Sequence, residues 1–250
     1  MRSRSGLYRS RDGAERLWFS PADVERTMED ALSRAGLSPT EDSPTVDIER
    51  FIQSLGVRMD QYADLDSSVL GLTEFHANQP PRILINRDLT GAIDEDSTPP
   101  GILGRWRATM AHEASHVVMH RILFEVNQDQ QGLFPTEPEG ESHQLMRCLK
   151  KAVLFRGGGT SDWREVQANM GMAALLMPQR LFQELANVVI NQLHLSAAGL
   201  SAGSTAAAAV SAELAIRFSV SKQAAGIRLE ALGVVAPAKQ PWLIHGGVPS

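Results

Sequence analysis

The chain has 250 residues, with 24 Lys and Arg against 29 Asp and Glu and a formal net charge of −5 at pH 7. That length suits one large domain, or a domain with a small appendage, and buries enough surface to need no covalent staple. The lone cysteine, Cys148, excludes an intramolecular disulfide, and the acidic balance argues against a broad phosphate-binding face.

The N-terminal stretch MRSRSGLYRSRDGAER lacks the apolar core of a secretory signal and reads as a solvated, mobile arm. PADVERTMEDALSRAG over 21–36 predicts a helix, with Pro21 in its first turn and Gly36 as its stop. VDIERFIQSLG predicts a second, carrying Val46, Ile48, Phe51, Ile52 and Leu55 on one stripe. Three short apolar runs, GVRMDQYA, SVLGLTEF and RILINRD, predict strands of a small antiparallel sheet. GAIDEDSTPPG is a loop by composition, and a long helix is expected from about Gly101–Gly104 through RWRATMAHEASHVVMHRILF. Residues 125–141 carry five acids and no base, and predict an exposed insertion. A helix follows from Asp162 to Met177, bounded by Pro178, and then another over PQRLFQELANVVINQL. After an Ala/Ser/Gly-rich link, SAELAIRFSVSKQAAGIRLEALGVV has two helical patterns broken at Ser219–Ser221, a helix-turn-helix outline. The longest charge-free stretch, 185–212, still carries Asn187, Asn191, Gln192 and several Ser, too many for a membrane span. The domain organisation expected is an arm and helix over 1–44, a main domain over 45–195 with an acidic insertion at about 125–160, and a helical segment over 209–235.

The chemical signal is AHEASH, with His112, Glu113 and His116 inside an apolar-periodic helix. Residues four apart stand one turn above each other, so both imidazoles can reach one metal ion. Glu113 points to another flank, where a carboxylate can act as general base. With 7 His in 250 residues, chance supplies such a string on the order of 0.01 times. His120 extends the row, but Met119 and Ile122 occupy the positions where a metzincin needs Gly and a third His; His120 is read as packing, or as orienting a neighbour. Catalytic zinc takes three protein ligands and leaves one position open. The candidate third ligand is Glu165, which shares a helix face with Asn169 and Met172. Spacing alone leaves Glu165 equally suited to a capping box with Asp162.

AHEASHVVMH, followed by EVQAN and AALLMP, resembles the ImmA/IrrE family of metallo-endopeptidases, and VLGLTEF and PPRILINRD are similar to its preceding strands. The likeness covers about residues 45–180. It implies an α+β, zincin-like fold in which a small antiparallel sheet packs on the HExxH helix. It also implies zinc held by His112, His116 and Glu165, with Glu113 catalytic. Where the family usually has Leu-Gly inside the motif, this chain has Ala114-Ser115; where it commonly has Phe-Ala, this chain has Gly171-Met172. The implied activity is zinc-dependent endopeptidase cleavage of a helix-turn-helix transcriptional repressor in the cytoplasm, with no membrane partner.

The alternative reading is a DNA-binding or antitoxin-like regulator with a structural metal site, in which Ser221, Lys222, Gln223 and Arg228 face DNA. Against it, a purely structural site gains nothing from a general base at Glu113, and the segment has only three bases, Arg217, Lys222 and Arg228. A packed helical subdomain is the simpler expectation. Cys148 is read as an ordinary buried thiol. An oxyanion donor is required by the chemistry, and His76, Tyr62 and His143 are candidates by residue type alone. An extended substrate is expected to pair with an edge strand, for which RILINRD is the candidate.

Overall fold

The computed structural model describes residues 6–9, 15–76, 79–93, 100–131, 144–149, 163–196 and 200–236. Its described residues form an α+β structure of eight helices, a two-stranded ribbon and a four-stranded sheet. β1 (Gly6–Arg9) and β2 (Glu15–Trp18) pair antiparallel, with Gly6 opposite Trp18, so the segment expected as a solvated arm forms backbone pairing instead. α1 (Pro21–Arg34) begins at a capping box, in which the Ser20 hydroxyl accepts from the Asp23 N–H and the Asp23 carboxylate accepts from the Ser20 N–H. Its apolar stripe buries Val24, Met28, Ala31 and Leu32. α2 (Ile48–Ser54) buries Ile48, Phe51 and Ile52.

The three apolar runs are β3 (Arg58–Ala63), β4 (Val69–Phe75) and β5 (Arg82–Asn86). With β6 (Gln144–Leu149) they stand in the order β3-β5-β4-β6. The sheet is mixed rather than antiparallel: β4 pairs antiparallel with β5 and β6, but β3 pairs parallel with β5. The cause is the connection from β3 to β4, which steps across the end of β5. Buried Asn86, the last residue of β5, donates through Nδ2 to Leu65 O at 3.4 Å, Asp66 O at 3.2 Å and Val69 O at 2.8 Å, and so holds that connection in place. Asn86 Oδ1 also accepts from the Asp88 N–H and caps the short helix α3 (Arg87–Gly91), which cuts off the end of the expected strand. RILINRD is therefore an interior strand with neighbours on both sides, and has no free edge to offer a substrate.

β6 lies where an exposed insertion was expected, and the long helix α4 (Pro100–Gln131) also runs on into that segment. Residues 132–143 and 150–162, including His143 and Asp162, lie outside the described residues, as does the environment of the Cys148 side chain. α4 is buried on nearly every side from Trp106 to His120, because it is sandwiched between β4 on one face and α5 (Trp163–Leu176) on the other. α6 (Gln179–Gln192), α7 (Thr205–Phe218) and α8 (Lys222–Ala231) complete the chain. One continuous hydrophobic core runs from Val24 through Met110, Leu175, Phe182 and Phe218 to Val235, so α1 and the C-terminal pair pack on the same core as the HExxH helix. No described helix is long and apolar enough to cross a membrane.

The break between α7 and α8 is made by Ser219, which takes the left-handed conformation at φ 52°. That turn is docked on α4. Arg107 donates from Nε to Ser219 O at 3.0 Å and from Nη2 to Val46 O at 2.8 Å, and a side chain at Gly104 would meet the Ser221 backbone nitrogen at 3.0 Å. Burial lowers the Arg107 pKa, and the Asp47 charge opposes that shift. The residues that the alternative reading turns towards DNA are partly used inside the protein, as a packed helical subdomain requires. Ser221 caps α8 by accepting from Ala224 N, and buried Arg228 forks onto Glu25 at 2.6 and 2.8 Å. Arg228 also donates to Met177 O.

Candidate metal centre

α4 places His112, Glu113 and His116 in the middle of the molecule, all fully buried. The i, i+4 spacing brings the two imidazoles together edge-on, with ring centroids 4.8 Å apart and Nε2 atoms 3.1 Å apart. α5 crosses the same face and turns the Glu165 carboxylate onto both rings. Its Oε2 stands 3.2 Å from His112 Nε2 and its Oε1 3.4 Å from His116 Nε2. Glu165 thus joins the histidines rather than acting only as a helix cap, and the three residues form a group that can hold a metal ion, with one ligand atom from each within 4.8 Å of the others.

The donor set fits a divalent cation. His112 Nδ1 lies 3.0 Å from Asn169 Oδ1, which can only accept, so the proton of a neutral His112 sits on Nδ1. Its Nε2 lone pair then faces a second imidazole nitrogen and a carboxylate oxygen. Such a cluster of lone pairs in a buried site needs a positive charge among them. The spacings agree: ligand atoms at about 2.0–2.1 Å from a tetrahedral zinc ion stand about 3.3–3.4 Å from one another.

Electrostatics around the cluster divide the rings. Burial pushes His112 down, but hydrogen bonding to Glu165, the charges of Glu113 and Glu165 and the Asn169 contact outweigh it, and the net shift is upward. His116 is lowered to about 4, chiefly by burial, against the pull of Glu165. His120, at the next turn, is lowered to about 3 by burial and by the neighbouring His116. Burial raises the Glu165 pKa, but its hydrogen bonds to His112 and His116 and their charges carry it well below the usual carboxylate range.

Glu113 faces β4. Thr73 Oγ1 donates to Glu113 Oε2 at 2.6 Å, and the other oxygen packs over Gly71, where a Cβ would stand 2.7 Å from Oε1 and 2.8 Å from Thr109 Cγ2. Gly71 and Thr73 share the α4-facing side of β4 with Ile83 and Ile85 across the register, while Leu72 and Leu84 meet Ala63 on the other face. A glycine is needed at 71 because the glutamate fills the space a side chain would occupy.

A second close approach brings α5 in. A Cβ on Gly171 would meet Ser115 Oγ at 2.7 Å and Met28 Cε at 2.8 Å. Ser115 Oγ is satisfied within its own helix, donating to Ala111 O at 2.7 Å. The absence of a side chain at 171 is what lets Glu165 reach the histidines of α4.

His120 touches the cluster from outside it. It faces His116 and Gln167, and the Trp163 ring meets it edge-on at 5.6 Å. Of the candidate oxyanion donors, His76 pairs with Glu74 at 3.2 Å and Tyr62 is exposed on β3. The sequence alone did not single out Thr73, Gly71 or Gln167, and it marked Gly171 only as a departure from the resembled family's pattern. The Thr73 hydroxyl, on the same strand face as Gly71 in the run VLGLTEF, was the available signal for the first. Comparison of the chain with protein-family models, curated proteins and solved structures finds no match.

Proposed function

We propose that this protein is a zinc-dependent endopeptidase. The observation that carries the reading is the convergence of two α4 imidazoles and the α5 carboxylate of Glu165 on one buried point, with a further carboxylate, Glu113, on the same helix. His112, His116 and Glu165 would hold the ion. When bound there, a divalent cation supplies Lewis acidity, polarising a carbonyl oxygen and acidifying water. The chain's own residues do the rest. Glu113 takes the proton of the attacking water on its carboxylate and hands it to the leaving amine. Thr73 holds that carboxylate at a fixed rotation through Oε2, and burial excludes bulk water from the proton's path.

The resemblance of AHEASHVVMH and EVQAN to ImmA/IrrE peptidases supports the same reading and suggests a helix-turn-helix repressor as substrate. The departures from that family's pattern compensate each other. Ser115 stands where the family has its motif glycine, and the glycine appears across the interface at 171, against Ser115.

The test is direct. Purified protein should carry about one zinc per chain and cut a cognate repressor at one or a few sites, as read by mass spectrometry. Absence of zinc after loading the folded protein would remove the metal-dependent reading. Ready many-site degradation of casein would leave the peptidase and remove the repressor.

A further inference from the structure

His116 and His120 face each other nitrogen to nitrogen, Nδ1 to Nδ1 at 3.1 Å. A hydrogen bond there needs one N–H and one lone pair, and a neutral imidazole has one of each. The choice between the two rings is made on the far side of His120, whose Nε2 lies 3.1 Å from Gln167 Oε1. An amide oxygen only accepts, so His120 carries its proton on Nε2 and presents a bare Nδ1 to His116. His116 must then donate from Nδ1, which leaves the lone pair of its Nε2 aimed at Glu165 and His112. The edge-on contact with the Trp163 ring holds the plane of His120.

We propose that Gln167, acting through His120, is a positioning residue for the metal centre: it fixes His116 in the tautomer whose Nε2 is free to bind a cation. The inference rests on the metal-binding reading above and deepens it. On this account α5 supplies more than a ligand. Glu165 binds, Asn169 sets the tautomer of His112 directly, and Gln167 sets that of His116 through one intervening ring. An acceptor behind a metal-binding histidine fixes its orientation and raises its basicity, and loss of such a partner usually weakens the metal about 10–100-fold.

The test uses the full chain as wild type, Gln167→Leu and Gln167→Glu. Zn2+ affinity is read by competition with a chromophoric chelator, and histidine tautomers by 15N NMR of the metal-free wild type. Gln167→Leu, close in volume but unable to accept, should weaken Zn2+ by about 10–100-fold. Gln167→Glu, which can only accept, should restore it to within a few-fold of wild type. NMR should show His116 protonated on Nδ1 and His120 on Nε2. A Gln167→Leu protein that holds Zn2+ as tightly as wild type, or a wild-type His116 protonated on Nε2, overturns the inference. If Gln167→Leu fails to fold by circular dichroism, the wild-type tautomers decide alone. Wild type that takes up no Zn2+ overturns the metal-dependent function and this inference together, whereas tight wild-type binding with an indifferent leucine variant overturns this one only.

Discussion

Glu113 and Glu165 are buried carboxylates on facing helices, but their neighbours give them different work. Glu165 touches both imidazoles, so Glu165→Ala should leave two ligands and lose most zinc in dialysis against a mild chelator. Glu113 touches Thr73 and Gly71; Glu113→Gln should keep its zinc while kcat falls by about 10²–10⁴-fold. Equal zinc loss in both variants would mean that the two carboxylates share one role. Thr73→Val removes a donor to a buried carboxylate, and should lower stability by about 1–3 kcal/mol in a urea melt and reduce kcat without changing zinc affinity. In the metal-free protein, His116 and His120 sit below the ordinary histidine value of 6.5, at about 4 and about 3. The unfolded chain therefore takes up protons at these two positions before the native state does, and stability drops as pH falls from about 6.5 towards 4. His112 is shifted upward and opposes this as a single group. A melting temperature that rises on acidification across that window would contradict the assignment. The local part of this site was legible in the sequence, because helix geometry alone puts residues i and i+4 on one face. Spacing alone left Glu165 divided between ligand and cap, and only the family resemblance assigned it to the metal, since its role depends on how α5 crosses α4. The partners of Thr73 and Gln167 were not legible for the same reason: each meets its partner across a packing interface that no spacing encodes.

The elements that bring the site together are held by two missing side chains, Gly71 under Glu113 and Gly171 against Ser115. At Gly171 the crowding is mutual, and that gives a test with a built-in rescue. Gly171→Ala puts a methyl 2.7 Å from Ser115 Oγ and 2.8 Å from Met28 Cε, and must push α5 away from α4. Overpacking of this kind costs about 1–3 kcal/mol, and Glu165 moves with the helix, so zinc affinity should fall with stability. Ser115→Gly combined with Gly171→Ala relieves the hydroxyl contact. The double variant should regain part of both losses, and additivity within about 0.5 kcal/mol would show that the two positions do not press on each other. The sheet shows where sequence patterning stops. Every helix but the short α3 was readable from its pattern, and the three strands from their lengths and turn-rich boundaries, but strand order depends on Asn86 pinning the β3–β4 connection over β5. That is a side-chain contact to backbone, and the hydrophobic pattern does not report it. β6 was hidden because its surroundings in the chain are acidic and rich in Pro and Gly, which reads as loop.

Across the whole molecule, the C-terminal helices are part of the core that carries the site. The helix-turn-helix outline was legible because the Ser219–Ser221 break is local, and its packing was the simpler expectation from its apolar residues; the partners of Arg228 were not legible, because they lie far away in the chain. Its guanidinium joins α8 to Glu25 on α1 and to the carbonyl of Met177 after α5. Removing one partner of such a buried pair costs about 3–5 kcal/mol. For a chain of this size that is roughly 6–20 °C in melting temperature, and Arg228→Met should show a loss of that order by calorimetry. Deleting residues 209–250 is the harsher form of the same experiment. It removes Val210, Leu214, Phe218 and Leu229, all buried in the shared core, and strips Phe182 of the Phe218 ring that packs 5.3 Å from it. It also leaves Arg107 without its Ser219 acceptor beside α4. The truncated chain should therefore fail to melt cooperatively and should lose zinc together with cleavage of any substrate, long or short. A truncated protein that stays folded, keeps its zinc and still cuts a short peptide would show instead that the C-terminal pair is an appendage, leaving it open to a role in docking the substrate protein.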